Sequence, residues 1–337
     1  MNPTNFAKYL TSFLTEYLSG QKNVSKNTIH SYRDTFKLLL NYCQNEKNIA
    51  IENIRIDNLT AELIIEFLAW LESERKCSIA TRNQRLASIH SFFRYVQAEE
   101  PAGIYHYQKI ISIAMKRTVT KTVEHLSPEV LKLILEQPNK QITKGRRDLT
   151  LLSVLYDTGA RVQEIIDIKV CDIILDSPSV IVLTGKGNKV RRVPLMKNTV
   201  AILQAYLHEN DLDKSWKNQH PVFVNNQRNK LTKEGVAHIL RKYLKKAREI
   251  SSKVPEHISP HVFRHSKAMH LLQAGVNLIY IRDFLGHVDI KTTEIYAKAD
   301  TETKRKTIEN AYPDLISSEM PDWSKNNELL SWLSDLK

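Results

Sequence analysis

Four amphipathic helical stripes fill the first 108 residues, and only two glycines, Gly20 and Gly103, fall among them. Residues 6–18, FAKYLTSFLTEYL, supply the first. Ser25 caps SKNTIHSYRDTFKLLLNYC, apolar at Ile29, Tyr32, Phe36, Leu39, Leu40 and Cys43. Thr60 caps TAELIIEFLAWLES, apolar at Leu63, Ile64, Phe67, Leu68 and Leu71. Ser78 caps SIATRNQRLASIHSFFRYV, apolar at Leu86, Ile89, Phe93 and Val96. The glycines mark breaks, and Pro101 with Gly103 ends the last stripe. Such a stretch folds as a small four-helix bundle. Opposite the last apolar stripe run Thr81, Gln84, Ser88, Ser91 and Tyr95, edged by Arg85 and Arg94. An uncharged hydrogen-bonding strip with arginines at its rim suits a DNA groove. A plain solvated face more often carries Glu and Lys.

Charge separates this stretch from the rest. The chain of 337 residues carries a net charge of +12. Residues 1–108 hold 12 Lys and Arg against 11 Asp and Glu, so the basic excess lies almost wholly after them. Nucleic acid is the commonest polyanion for such a chain; a solvated basic surface is the bland alternative. Residues 114–125, AMKRTVTKTVEH, hold Lys116, Arg117 and Lys121 without a period. They read as part of a basic linker, 109–125, crossing a DNA backbone.

From about residue 127 the pattern is mixed. Helical stretches are SPEVLKLILEQ, RRDLTLLSVLYDTG, NTVAILQAYLHE, TKEGVAHILRKYLKKA, HVFRHSKAMHLLQAG, LIYIRDFLG and IKTTEIYAKA. SVIVLTGKGNKVRRVPL reads as strand, glycine turn and strand. The fold class expected is mainly α with a small β-sheet, an α+β domain at 126–320 behind the bundle. No apolar run reaches the length of a membrane span. The N-terminus lacks the basic-then-apolar pattern of a secretory signal. Cys43, Cys77 and Cys171 form neither a metal spacing nor a disulfide framework, so a reducing interior is expected.

Chemistry-bearing residues collect at element ends. SPHVFR places Ser259 as an N-cap, Pro260 at the first helical position, and His261 and Arg264 in the first turns, where free N–H groups favour an anion. TGARVQE puts Arg161 just past a helix-ending Gly159, with Glu164 three residues on. TGKGNK puts Lys186 at a hairpin tip, with Lys189, Arg191 and Arg192 beside it. LGH gives His287, and TTEIY gives Tyr296 nine residues later. Singly, each has a dull explanation: a surface arginine, an ordinary turn, a helix cap, a packed tyrosine.

In this order and company the chain resembles the tyrosine recombinases, the phage integrases and Xer-type enzymes. The bundle looks like the family's helical, SAM-like core-binding domain. TGARVQEIIDI, LTGKGNKVRRVPL, HVFRHSKAMHLLQAG and IRDFLGHVDIKTTEIYAK look like its successive catalytic motifs. The resemblance implies a catalytic set of Arg161, Lys186, His261, Arg264, His287 and Tyr296. Glu164, Lys189 and His265 stand in support. Thr81, Gln84, Arg85, Ser88, Ser91, Arg94, Lys116, Arg117, Lys121, Arg191 and Arg192 are the residues expected to touch DNA. It also implies phosphoryl transfer with no metal and no cofactor: Tyr296 attacks a scissile phosphate, a 3′-phosphotyrosine forms, and a partner strand resolves it through a Holliday junction.

Lys186 would protonate the leaving 5′-oxygen, with Lys189 as its alternate. His261 would accept the tyrosine proton, Glu164 would orient Arg161 or a histidine, and neighbouring cations would favour the phenolate. The implied partners are double-stranded DNA with an inverted-repeat core site and three further copies of the chain, alone or with a second recombinase or accessory protein. A bacterial cytoplasm, at the nucleoid, is the expected place. An enzyme without a separate arm-binding domain is expected, rather than an integrase needing distant arm sites. Residues 321–337 carry an apolar stripe of Leu329, Leu330, Leu333 and Leu336 with Trp332 at its edge, expected to join protomers. A type IB topoisomerase and a catalytically silent DNA-binding protein of the same fold are the alternatives.

Overall fold

The structure, a computed structural model, describes residues 3–118, 123–299, 332, 334 and 335. It forms two compact units, residues 1–121 and 122–337.

In the first unit the caps start the helices. α1 (Asn5–Ser12) begins behind Thr4 and runs on as a π-helix, Phe13–Gln21. α2 (Lys26–Lys47), α3 (Ala61–Ser73) and α4 (Ile79–Glu99) follow Ser25, Thr60 and Ser78. Each of these hydroxyls accepts the N–H three residues on. The stripes meet in one core, where Phe36, Leu39, Ile64, Phe67, Leu86, Ile89 and Phe93 are buried.

Two expectations fail here. The bundle does not stop at Pro101, because α5 (Ile104–Ile111) adds a fifth helix with Tyr107 and Ile110 buried. At eight residues, directly behind the Pro101–Gly103 break, it is too short to stand out in the sequence. Nor is the polar strip of α4 a free face. The Gln84 amide donates to Ser31 Oγ at 3.1 Å, and Arg85 donates to the Ser31 carbonyl and Thr35 Oγ1. Ser88 is 3% exposed and donates to the Gln84 carbonyl, while Tyr95 packs on Phe13 and Tyr17. A polar patch of α2 faces α4 and takes up Arg85, with Ser88 and Tyr95 buried, while Gln84 and Arg94 stay exposed.

The basic stretch also begins as a strap rather than a linker. Lys116 Nζ lies 2.8 Å from a Glu72 oxygen, and its backbone exchanges hydrogen bonds with the Asn83 side chain. Arg82, 5% exposed, donates to the Ala114 carbonyl. Thr81 and Ser91 are half-buried, Arg94 and Arg117 are exposed, and Lys121 lies outside the described residues.

The second unit opens with α6 (Pro128–Leu135), α7 (Thr143–Thr158) and the short α8 (Val162–Asp167). Next come β1 (Ile173–Ile174), β2 (Val180–Thr184) and β3 (Val190–Pro194). These make an antiparallel sheet in the order β1-β2-β3, with Ile181 opposite Val193 and Leu183 opposite Arg191. α9 (Lys197–Glu209), α10 (Lys233–Ile250), α11 (Pro260–Gln273), α12 (Leu278–Leu285) and α13 (Lys291–Ala299) complete it. The fold is mainly helical with one small sheet.

α7 is the hub: Leu151, Leu152, Val154 and Leu155 are buried in a large core shared with the sheet and α9–α11. A second, smaller cluster joins Ala268, Met269, Ile281, Leu285 and Tyr296. No helix among the described residues is long and apolar enough to cross a membrane. The tail at 321–337 lies outside the described residues apart from Trp332, Ser334 and Asp335.

Ile110 discriminates a helix from a linker. Ile110→Ala should cost the first unit about 2–5 kcal/mol, the usual range for emptying a packed isoleucine site. Denaturant unfolding followed by the tryptophan of α3 would read this; a midpoint equal to wild type would return the residue to a linker.

Candidate active site

Two helices end at the site, and their ends hold its central arginine. α7 stops at Gly159 and α12 at Gly286, both in the left-handed conformation (φ 54° and 66°) that glycine adopts without strain. A helix end leaves carbonyls without partners. Arg264, on the second turn of α11 and 3% exposed, donates through Nη1 to the Gly159 carbonyl at 2.7 Å and through Nη2 to the Leu285 carbonyl at 2.6 Å. Burial, with Arg161 nearby, lowers its pKa to about 10, so it stays charged at neutral pH.

Glu164 is the second anchor. It lies in the first turn of α8 and is 5% exposed. One carboxylate oxygen accepts the Arg161 N–H at 2.8 Å, and the other accepts Arg161 Nη1 at 2.9 Å. Arg191 donates to both oxygens, at 3.0 and 2.7 Å, and through Nε to the Phe284 carbonyl. Burial raises the carboxyl pKa, but the two arginines outweigh it and hold Glu164 ionised.

The sequence offers Arg191 and Arg192 alike as DNA contacts, whereas the strand sets them on opposite faces. Alternation along β3 turns Arg191 and Val193 inward and leaves Arg192 exposed. Inward residues of β3 were the available signal. The approach is close: a Cβ on Gly286 would stand 3.0 Å from Arg191 Cδ and Nη1, and one on Gly185 would stand 3.0 Å from Glu164 Oε1.

An open cavity of 510 Å³ fronts this assembly, lined by Arg161, Gly185, Lys189, Arg191, Arg282, Gly286 and His287 among others. The hairpin tip carries Lys186 in a turn, Lys186–Asn188, whose side chain at 186 is outside the description.

Tyr296 sits behind His287, 1% exposed, its ring parallel to the imidazole at 6.4 Å. Its hydroxyl lies 2.9 Å from His265 Nδ1. His265 therefore touches the tyrosine, whereas His261, expected to accept its proton, is an exposed residue at the mouth of α11. Ser259 occupies the N-cap position, but its hydroxyl makes no capping bond. Burial raises the Tyr296 pKa more than Arg264 and Arg161 lower it, so the expected phenolate is not favoured in this seat.

His287 Nδ1 lies 2.9 Å from Thr293 Oγ1, a fully buried hydroxyl three residues before Tyr296 that the sequence reading passed over. All the site histidines are held below the usual pKa: His287 to about 4 by burial and Arg264, His265 by burial and His261, His261 by desolvation and Arg264. Lys233, in the first turn of α10, is among the cations acting on His261. Among the described residues no three His, Cys, Asp or Glu side chains are grouped to hold a metal ion.

His287 makes the site acid-sensitive. It protonates near 6.5 when unfolded and only near about 4 when folded, so folding favours the neutral ring. That stability is complete above about 6.5 and is lost as pH falls toward about 4. Urea midpoints measured from pH 7 to 4 should fall less steeply for His287→Asn than for wild type. Parallel curves would remove His287 from the linkage.

The family model described as "Phage integrase family" matches residues 124–303, and the one described as "Phage integrase, N-terminal SAM-like domain" matches residues 10–100. The Sinorhizobium fredii protein y4rC, named as an integrase/recombinase, is 32% identical over 98% of this chain and 98% of its own. Tyrosine recombinase XerD of Listeria innocua is 30% identical over 83% of this chain and 90% of its own. The fold is shared with the Tn1549 transposon integrase solved with transposon right end DNA, at TM-score 0.69 and 18% identity over 90% of this chain and 97% of that one. It is shared too with the XerH recombinase solved with its difH substrate after cleavage, at TM-score 0.67 and 23% identity over 89% and 84%.

Proposed function

The chain belongs to the phage integrase family of tyrosine recombinases, and from that premise we propose that it is a site-specific recombinase cutting and rejoining DNA through Tyr296. The supporting observation is the ratio of charges around the cavity. Arg161, Lys189, Arg191 and Arg282 line it, against Asp283, which pairs with Arg282, and Glu164, which bridges Arg161 and Arg191, so an excess of positive charge faces open space. A phosphodiester is the anion such a site fits, and guanidinium groups bind two of its oxygens at once.

In this reading Arg161, Arg264 and His287 take the non-bridging oxygens, where negative charge grows in the transition state. These fixed donors supply the stabilisation, so the reaction as proposed calls on no metal and no cofactor. The Tyr296 oxygen bonds to phosphorus as the bond from phosphorus to the 5′-oxygen breaks. His265, at hydrogen-bond distance and neutral, takes the tyrosine proton. Lys186, carried on the hairpin, gives a proton to the departing 5′-oxygen, with Lys189 at the cavity wall as its alternate. A 5′-hydroxyl from a partner strand then reverses these steps, and the paired exchanges pass through a Holliday junction. His261, exposed at the start of α11, is proposed as a further donor.

Tyr296 must leave its buried seat to reach a phosphate in the cavity, so DNA docking has to open that seat. Arg192 and the exposed cations Lys233, Arg241 and Lys245 of α10 extend the basic face for a duplex. Four copies on an inverted-repeat core site, coupled through the tail at 321–337, complete the proposal.

Tyr296→Phe should bind a labelled core site as wild type does and form no covalent adduct on a suicide substrate. An adduct surviving in denaturing gels would move the nucleophile to Tyr280 or Tyr312. Lys186→Ala should lose cleavage by orders of magnitude and regain it when sulfur replaces the 5′ bridging oxygen, a leaving group that needs no proton. Arg161→Ala and Arg264→Ala should stay inactive on that substrate. Rescue of Lys189→Ala in place of Lys186→Ala would exchange the two lysines. Relaxation of plasmids lacking any core site would favour a topoisomerase.

A further inference from the structure

Where the chain enters the second unit, its backbone is gripped by the helix that carries the active-site histidines. Both polar groups of Leu126 bond to side chains of α11. The Leu126 N–H donates to Ser266 Oγ at 2.8 Å, and its carbonyl lies 2.9 Å from His270 Nε2. Ser266 and His270 are four residues apart, one turn of the same face. Each is fixed in turn. Ser266 gives its own proton to the Val262 carbonyl, which leaves its lone pairs for Leu126. A carbonyl only accepts, so His270 must carry its proton on Nε2. Its Nδ1 then accepts from the Tyr156 hydroxyl, 2.9 Å away on α7. Leu126 is 3% exposed and Ser266 fully buried.

The gripped segment reaches the nucleophile. Val123 packs against the small cluster of Ala268, Met269, Ile281, Leu285 and Tyr296. The residue preceding Ser266 on α11 is His265, whose ring holds the Tyr296 hydroxyl. One short helical span thus clasps the entry segment on one side and the tyrosine on the other, and Val123 of that segment packs on the cluster to which the tyrosine belongs.

We propose that Ser266 and His270 are positioning residues: by clasping Leu126 they seat Val123 against the Tyr296 cluster and hold the nucleophile closed until DNA docks. This rests on Tyr296 being the nucleophile. Loosening the clasp leaves the phosphate-binding arginines Arg161 and Arg264 in place, because neither bonds to Leu126, Ser266 or His270. It lowers the cost of moving Tyr296 outward.

The test has one arm without DNA and one with it. 3-Fluorotyrosine placed at position 296 of the full chain reports the seat by fluorine NMR. Val123→Ala and His270→Ala should shift that resonance toward the solvent-exposed value. His270→Gln, whose amide nitrogen can still donate to the Leu126 carbonyl, should stay near wild type. Ile134→Val, a core change in the other cluster, controls for general destabilisation. With a suicide substrate, His270→Ala and Val123→Ala should raise adduct formation on half-sites roughly tenfold relative to full sites, within the usual span of coupling between sites. His270→Gln should leave that ratio unchanged. An unshifted resonance in both alanine variants, or equal shifts in His270→Ala and His270→Gln, overturns the clasp. Absence of any adduct from wild type overturns Tyr296 as nucleophile, and the fluorine arm still decides the clasp.

Discussion

Arg264 between the last carbonyls of α7 and α12 is the contact on which the site depends. Burying a guanidinium costs several kcal/mol unless other groups replace its water. Here the replacements are two helix C-termini, where the dipole is negative and carbonyls lack partners. They solvate the charge without cancelling it, as a carboxylate would. The same bonds fix three helices at one point, since α11 carries the arginine and the other two supply acceptors. The left-handed glycines follow from this. Gly159 and Gly286 let the chain turn away directly after the helices, and at both a side chain would crowd its neighbours.

Charge accounting explains why Glu164 is buried among arginines. Three guanidinium groups at one cavity repel each other, and without a carboxylate the empty site would be costly to fold. A single glutamate that bridges Arg161 and Arg191 fixes their positions and leaves a net positive wall. Substituting Glu164→Gln would keep the shape and part of the hydrogen bonding but release the repulsion, so its main effect falls on arginine placement. The neighbouring histidines are lowered first by burial and then by the nearby cations. Surrounded by fixed cations and partly desolvated, they serve as neutral donors and acceptors.

Much of this was legible in the sequence because the site is built at element ends, and ends have strong local grammar. Caps at Ser25, Thr60 and Ser78, the glycine after α7 and the glycine before His287 can be read without neighbours. What could not be read depends on partners distant in sequence. Ser88 and Arg85 make an amphipathic polar strip on α4, and only the position of Ser31 and Thr35 on α2 turns that strip inward. His261 and His265 are chemically alike, and which one meets Tyr296 depends on how α13 crosses α11. Arg191 and Arg192 differ by one step of a strand. That step was decidable from the inward Val193, had alternation been applied to the charged residues as well as the apolar ones.

The two cores of the second unit divide the labour of the proposed reaction. The cradle of arginines stands on α8, β3 and α11, which send Ile165, Val193 and Phe263 into the large core. The tyrosine belongs instead to a cluster of five buried side chains, joined to the larger core through Phe284, which packs against both and lends its carbonyl to Arg191. Local opening costs least where few apolar contacts are lost. A small cluster can therefore release Tyr296 while the phosphate ligands hold their geometry. Had the tyrosine been packed into the main core, exposing it would have disturbed the arginines that its attack requires. The fold keeps the electrostatic part of the chemistry rigid and confines movement to the one residue that has to travel.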